Sequence, residues 1–144
     1  MEKIKGVLIV LFGPSGIGKT STITRVAQKL GMDQPYGEDF SAVCPHSLFD
    51  FKIGMASMGD PGSSQVESVT RLIKEGCRII VCASRTRGET VYDLNVLAQK
   101  NNYAITWGTP FYEIGDCINP SVMHEANADA VLSLIKLFSI VLQH

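Results

Sequence analysis

Hydrophobic positions fall along this chain in blocks whose spacing changes, and the changes mark out the elements. Val7-Leu-Ile-Val-Leu-Phe12 is an unbroken apolar run rich in branched side chains, the pattern of a strand buried on both faces, as in a parallel sheet. After a glycine-rich stretch, Ile23, Val26, Ala27 and Leu30 recur at helical spacing up to Gly31, which predicts a helix from Lys19 to a glycine stop. Residues 31 to 50 hold two prolines and mixed polarity, and only a short strand at Ser41 to Cys44 stands out. Phe51 to Met58 reads as a strand closed by Gly59-Asp60-Pro61-Gly62, after which Ser64 and Glu67 have capping-box spacing for a helix carrying Val66, Val69 and Ile73. Arg78 to Ala83 is the next strand, Ser84 to Gly88 a loop, and Thr86 with Glu89 caps a helix whose apolar face is Val91, Leu94 and Ala98. Ala104 to Trp107 is the last strand.

The final helix is expected to start at Asn127 or Asp129 and to run to about Leu142. Its polar residues Ser133, Lys136, Ser139 and Gln143 make only a narrow stripe, so it needs wide cover from the sheet or from a partner. Strands alternating with helices imply βαβ crossovers. The expected fold is therefore a single α/β domain over residues 1–144, a three-layer α/β/α sandwich around a mostly parallel sheet of about five strands. Ligands of such sheets sit beyond the carboxyl ends of the strands, which selects the loops 13–20, 59–64, 84–89 and 108–113.

The first of these loops carries the chemistry. Gly13-Pro-Ser-Gly-Ile-Gly18-Lys19-Thr20 fits G-x-x-x-x-G-K-[ST] at every specified position, between an apolar strand and an amphipathic helix as that motif requires. Glycines let successive backbone N–H groups converge on a phosphate, and the helix that follows adds the positive end of its dipole. On these residues the chain resembles the P-loop NTPase superfamily. The resemblance implies a nucleotide cradle made of Gly13, Pro14, Ser15, Gly16, Ile17, Gly18, Lys19, Thr20 and Ser21. Lys19 would reach the β- and γ-phosphates, and Thr20 would place its hydroxyl on Mg²⁺.

The remaining loops offer partners for that cradle. Asp60, at the end of a neighbouring strand, is the first candidate for the Mg²⁺ shell, with Asp39 or Asp50 next; as a residue of a Pro-Gly turn, Asp60 could equally be a turn former. Arg85 and Arg87 follow a strand directly, so either could neutralise charge on a transferred phosphoryl group with Ser84 as a γ-phosphate sensor, or the pair could be solvated or bridged to Glu89. Tyr112 or Phe111 could stack on a purine, although aromatic residues near a strand end are more often core. His46 and His124 show no paired acid or ligand cluster and read as structural or surface residues.

Composition narrows the function classes. Thirteen basic and 14 acidic residues leave a net charge of -1, so no general affinity for nucleic acid or anionic membrane is expected. The apolar run at Val7 is too short to span a bilayer and leads into the glycine loop, unlike a signal peptide. The four cysteines show no metal spacing and read as reduced thiols, so a cytoplasmic location is expected. No Asn-Lys-x-Asp or Thr-Lys-x-Asp base reader is present; the nearest string, Gln99-Lys-Asn-Asn102, ends a predicted helix. ATP is thus the expected nucleotide. Two functions follow: an Mg-dependent phosphotransferase of the small-molecule or nucleotide kinase type, with Asp39 taking the proton of a small acceptor, or an ATPase or ATP-sensing module acting on a partner or a second copy through the 127–142 helix.

Overall fold

A computed structural model describes residues 3–14, 16–32, 41–44, 52–57, 65–84, 89–112 and 117–143. Among them run β1 (Gly6–Phe12), α1 (Lys19–Lys29), β2 (Ser41–Val43), β3 (Lys52–Ala56), α2 (Gln65–Lys74), β4 (Cys77–Ser84), α3 (Glu89–Asn101), β5 (Tyr103–Gly108) and α4 (Pro120–Gln143). The strands form one sheet in the order β2-β3-β4-β1-β5. β3, β4, β1 and β5 are parallel, while β2 pairs antiparallel with β3 at one edge.

The side-chain alternation of β1 divides the core in two. Val7, Ile9 and Leu11 face a cluster with Ile23, Val26 and Ala27 of α1 and Ala128, Val131 and Ile135 of α4. Leu8 and Val10 face Val69 and Leu72 of α2 and Leu94 and Ala98 of α3. A strand buried on both faces has no polar side to show, which is why the sequence there reads as a continuous apolar run. Connectivity explains which helix covers which face. The β1–α1–β3 crossover passes β4 toward one edge, whereas β3–α2–β4 and β4–α3–β5 run the other way. Right-handed crossovers then put α1 on one face and α2 with α3 on the other, giving three layers.

Local signals end the elements as the sequence implies. Leu30 caps α1, and the amides of Gly31 and Met32 turn back to the carbonyls of Gln28 and Ala27 at 3.0 and 3.1 Å, with Gly31 at φ 78°. This is the glycine-terminated Schellman arrangement. The capping residues Ser64 and Thr86 lie outside the described residues, as do Asp50, Phe51 and Met58.

α4 departs from expectation at its start. It begins at Pro120, not at Asn127 or Asp129. Asn119 Oδ1 accepts the Ser121 amide at 2.9 Å, so Asn119 is the capping residue and Pro120 occupies the first helical position, where its missing N–H costs nothing. The narrow polar stripe is also redrawn. Ser139 lies in the buried face with Asn127, Ala128, Val131, Ile135 and Leu142, its hydroxyl bonded to the Lys136 carbonyl at 2.7 Å, while apolar Leu137, Ile140 and Val141 are exposed.

Candidate functional site

The loop 13–20 opens where the sheet changes direction. β1 and β4 are neighbours, yet the chain leaves β1 toward the β3 edge and leaves β4 toward the β5 edge. The connections that leave their carboxyl ends therefore part, and the crevice outside such a switch point is where open α/β sheets bind ligands. Gly13 and Ser84 face each other across it, and the Gly13 amide donates to the Ser84 carbonyl at 3.2 Å.

Lys19 closes the crevice from α1. Its ammonium donates to the Ser84 carbonyl at 3.0 Å and to the Gly13 carbonyl. An ammonium held across two strand ends by backbone oxygens is poised to exchange a carbonyl for an anionic oxygen, since a charge-assisted bond to an anion is the stronger of the two. Ser84 itself is fully buried. Its carbonyl is what the structure brings to Lys19.

The backbone of the loop has the curl that converging N–H groups need. Gly13, Gly16 and Gly18 have φ of 143°, 87° and 95°, values that side chains other than glycine adopt at a cost. Gly18 is the N-cap of α1 in the left-handed region, no side chain caps the helix, and no acidic residue lies in its first turn. The amino-terminal dipole of α1, with Lys19 and Thr20 in its first turn, is thus not neutralised by a carboxylate of its own. Pro14 and Gly16 are exposed, Gly18, Lys19, Thr20 and Ser21 half-buried, and Ile17 is buried. Ser15 lies outside the described residues.

The second wall comes from α4. Arg25 Nε pairs with Glu125 at 3.2 Å and donates through Nη2 to Ser121 Oγ at 2.8 Å; Lys29 pairs with Glu125 at 2.8 Å and Asp129 at 3.4 Å. Those two carboxylates raise the Lys29 pKa. Between Ser121 and Glu125, the His124 ring lies on Gly18, where a Cβ would stand 2.7 Å from Nδ1. Desolvation, and secondarily the Arg25 charge, lower the His124 pKa.

α4 also fixes the loop after β5. Asn127 is buried, and its amide takes both backbone groups of Phe111: Oδ1 accepts the N–H at 2.9 Å and Nδ2 donates to the carbonyl at 2.8 Å. Phe111 and Tyr112 are 73% and 50% exposed, so neither joins the core. On the opposite face, Gln65 at the head of α2 is buried and donates to the Ala83 carbonyl at 2.6 Å, holding the end of β4.

Among the predicted site residues, Gly13, Gly18, Lys19 and Thr20 come together at the β1–β4 crevice. Asp39, Asp60, Arg85 and Arg87 lie outside the described residues, as does His46. Among the described residues no group of three or more His, Cys, Asp or Glu is placed to hold a metal. His124, Asn127 and Gln65 were not singled out as site residues, and for the first two the signal was the helix start. A helix from Pro120 puts His124 in phase with Ala128, Val131 and Ile135. No protein-family model matches the chain, and no curated protein matches it. No helix among the described residues is long and apolar enough to cross a membrane.

Proposed function

We propose that the chain is a P-loop protein that binds Mg·ATP at residues 13–21 and transfers its terminal phosphoryl group to a small acceptor. The observation that carries this reading is Lys19, held between the Gly13 and Ser84 carbonyls at the sheet's switch point, beside a helix N-terminus that no side chain caps. Backbone N–H groups from Gly16 to Thr20 would hold the phosphate chain, and Lys19 would swing from the carbonyls to its β- and γ-oxygens. Thr20 would supply a hydroxyl to Mg²⁺ and Asp60 is the acid proposed for its shell; the metal would neutralise phosphate charge when bound. Arg85 and Arg87, which follow β4 in sequence, would meet the terminal phosphate, and Asp39 would take the acceptor's proton. ATP is favoured over GTP because the chain has no guanine-reading motif.

A screen of hydroxyl acceptors, read as ADP release from Mg·ATP, tests phosphotransfer. At least one acceptor is expected to stimulate release, and Lys19→Ala to abolish it. Release at one rate with and without every acceptor would contradict a kinase.

One observation favours a second reading, an ATPase or sensing module that acts on a partner. Val122, Leu137, Ile140 and Val141 of α4 are exposed apolar residues, on the helix whose inner face meets the glycine loop. Light scattering with and without Mg·ATP separates the two, since nucleotide-dependent assembly belongs to the second alone.

A further inference from the structure

The outer side of α4 repeats the apolar character of its inner side. Val131, Ile135 and Leu142 face the core, and Val122, Ala126, Ala130, Leu137, Ile140 and Val141 lie on the far side of the helix, all exposed. The large residues of that stripe, Val122, Leu137, Ile140 and Val141, are between 46% and 59% exposed. A helix whose outer side meets only solvent carries polar residues there. Here Glu125, Asp129, Lys136 and Gln143 form one line along an edge of the stripe instead. Met123, Ala126, Ala130, Ser133, Leu137 and Ile140 recur at alternating intervals of three and four, the spacing of a seam between two helices. The Ser133 hydroxyl donates to the Asp129 carbonyl of its own helix at 3.1 Å, so it needs no partner from across such a seam.

The charges along that edge decide what covers the stripe. Asp129 and Lys136 have opposite signs and stand one seven-residue repeat apart on the same side of the seam. Asp129 also meets Lys29, yet its side chain is 67% exposed. We propose that the outer stripe of α4 is a homodimer interface, in which two copies pair their α4 helices antiparallel about a two-fold axis level with the Val131–Leu132 bond. That level is the middle of Pro120–Gln143, so the helices overlap along their whole length. It sets Met123 level with the second copy's Ile140, Ala126 with its Leu137 and Ala130 with its Ser133. Small side chains at the centre of a helix contact let the axes approach closely. The same axis brings Asp129 of each copy to Lys136 of the other, offset by about 3 Å along the helix, within reach of a lysine side chain. One two-fold makes both pairs, the self-complementarity that an isologous contact requires. A parallel pairing would set Asp129 and Lys136 against the opposite edge of the second helix, where Leu134 and Val141 lie. Acidic Glu125 and Asp129 on the stripe's edge disfavour an anionic lipid surface.

Sedimentation equilibrium of the full chain without nucleotide tests the pairing. A reversible monomer–dimer equilibrium is expected, half-associated between about 1 and 500 μM, as suits an interface made chiefly by one pair of helices. Leu137→Glu with Ile140→Glu should weaken association by about 100-fold or more, because charge then enters the seam. Both side chains are exposed in the monomer, so the thermal midpoint of that variant at monomeric concentration stays within about 2 °C of the parent. Lys136→Glu, which sets like charges together, should weaken association by about 3- to 10-fold, and adding Asp129→Lys recovers most of the loss. Oxidative cross-linking in a Cys117→Ser background reads the orientation. Ala126→Cys and Leu137→Cys chains cross-link to each other when mixed, and neither cross-links to itself. A monomer at every concentration, or a dimer that Leu137→Glu with Ile140→Glu leaves unchanged, overturns the proposal. Self-cross-linking of Ala126→Cys overturns the antiparallel pairing. A monomer that co-sediments with vesicles containing phosphatidylserine overturns it in favour of a lipid surface. The pairing needs no nucleotide, so its failure leaves the phosphate-binding reading of residues 13–21 untouched.

Discussion

Burial pushes the Cys82 thiol up to about 12 and the Cys77 thiol up to about 11, and both side chains line the core between the sheet and α2 and α3. Their charged forms are disfavoured in the folded state, so they hold protons that the unfolded chain releases above about pH 9. Stability from these groups is intact below that pH and falls as pH rises toward 11 to 12; denaturant titrations at pH 7.5, 9.5 and 10.5 should show a progressive loss. Cys44 is also buried, whereas Cys117 is exposed and none of the four is in a disulfide. A thiol reagent should accordingly modify one cysteine quickly, with the other three reacting on the timescale of unfolding. Two or more fast thiols in the folded protein would contradict the core described here.

At this scale the sequence was legible where local geometry decides the role. Lys19 is fixed by the residues immediately around it, because its partner carbonyl Gly13 belongs to the same loop. The contact of His124 with Gly18 was not legible, since it arises only through the packing of α4 on α1. Phe111, for which core was one reading, is exposed, and its backbone is held by two hydrogen bonds to Asn127, a residue sixteen positions later.

Among the elements, α4 carries the largest revision. Asn119-Pro120 is a capping residue followed by a proline that suits the first helical position, and it starts the helix about two turns before Asn127. Asn127 has the side chain of a cap, which drew the boundary to it, but in mid-helix that amide spans the Phe111 backbone instead. Asn127→Ala should strand two backbone groups and reduce stability by about 1–3 kcal/mol, measured by urea denaturation, and should make the 109–112 loop exchange its amides faster. A change below about 0.3 kcal/mol would show that the clamp contributes nothing. The opposite end of α4 is held separately, by Arg78 Nη2 donating to the Leu142 carbonyl at 3.3 Å. The helix is thus fixed at its carboxyl end by the sheet and near its start by the glycine loop and the β5 loop.

For the whole molecule, the order of elements was readable because each has a strong period or a glycine stop. Alternating strands and helices gave the layers, whereas the right-handed rule gives the side each helix takes only once the strand order is known. Strand order was not readable, because it depends on which strands pair across the sheet. Without that order, the sequence could place four loops at one edge but could not say that Gly13 and Ser84 would meet. Their meeting puts Lys19 at the point where β1 and β4 part, and this arrangement supports phosphate binding more directly than composition or charge does. The most direct test is calorimetric titration of Mg·ATP into the intact protein and its Lys19→Ala variant. One site per chain is expected in the parent, with affinity reduced by about 100-fold or more in the variant, the loss of a charged hydrogen-bonding group from a dedicated anion site. No binding by the parent at millimolar nucleotide, or equal binding by both proteins, would contradict the account.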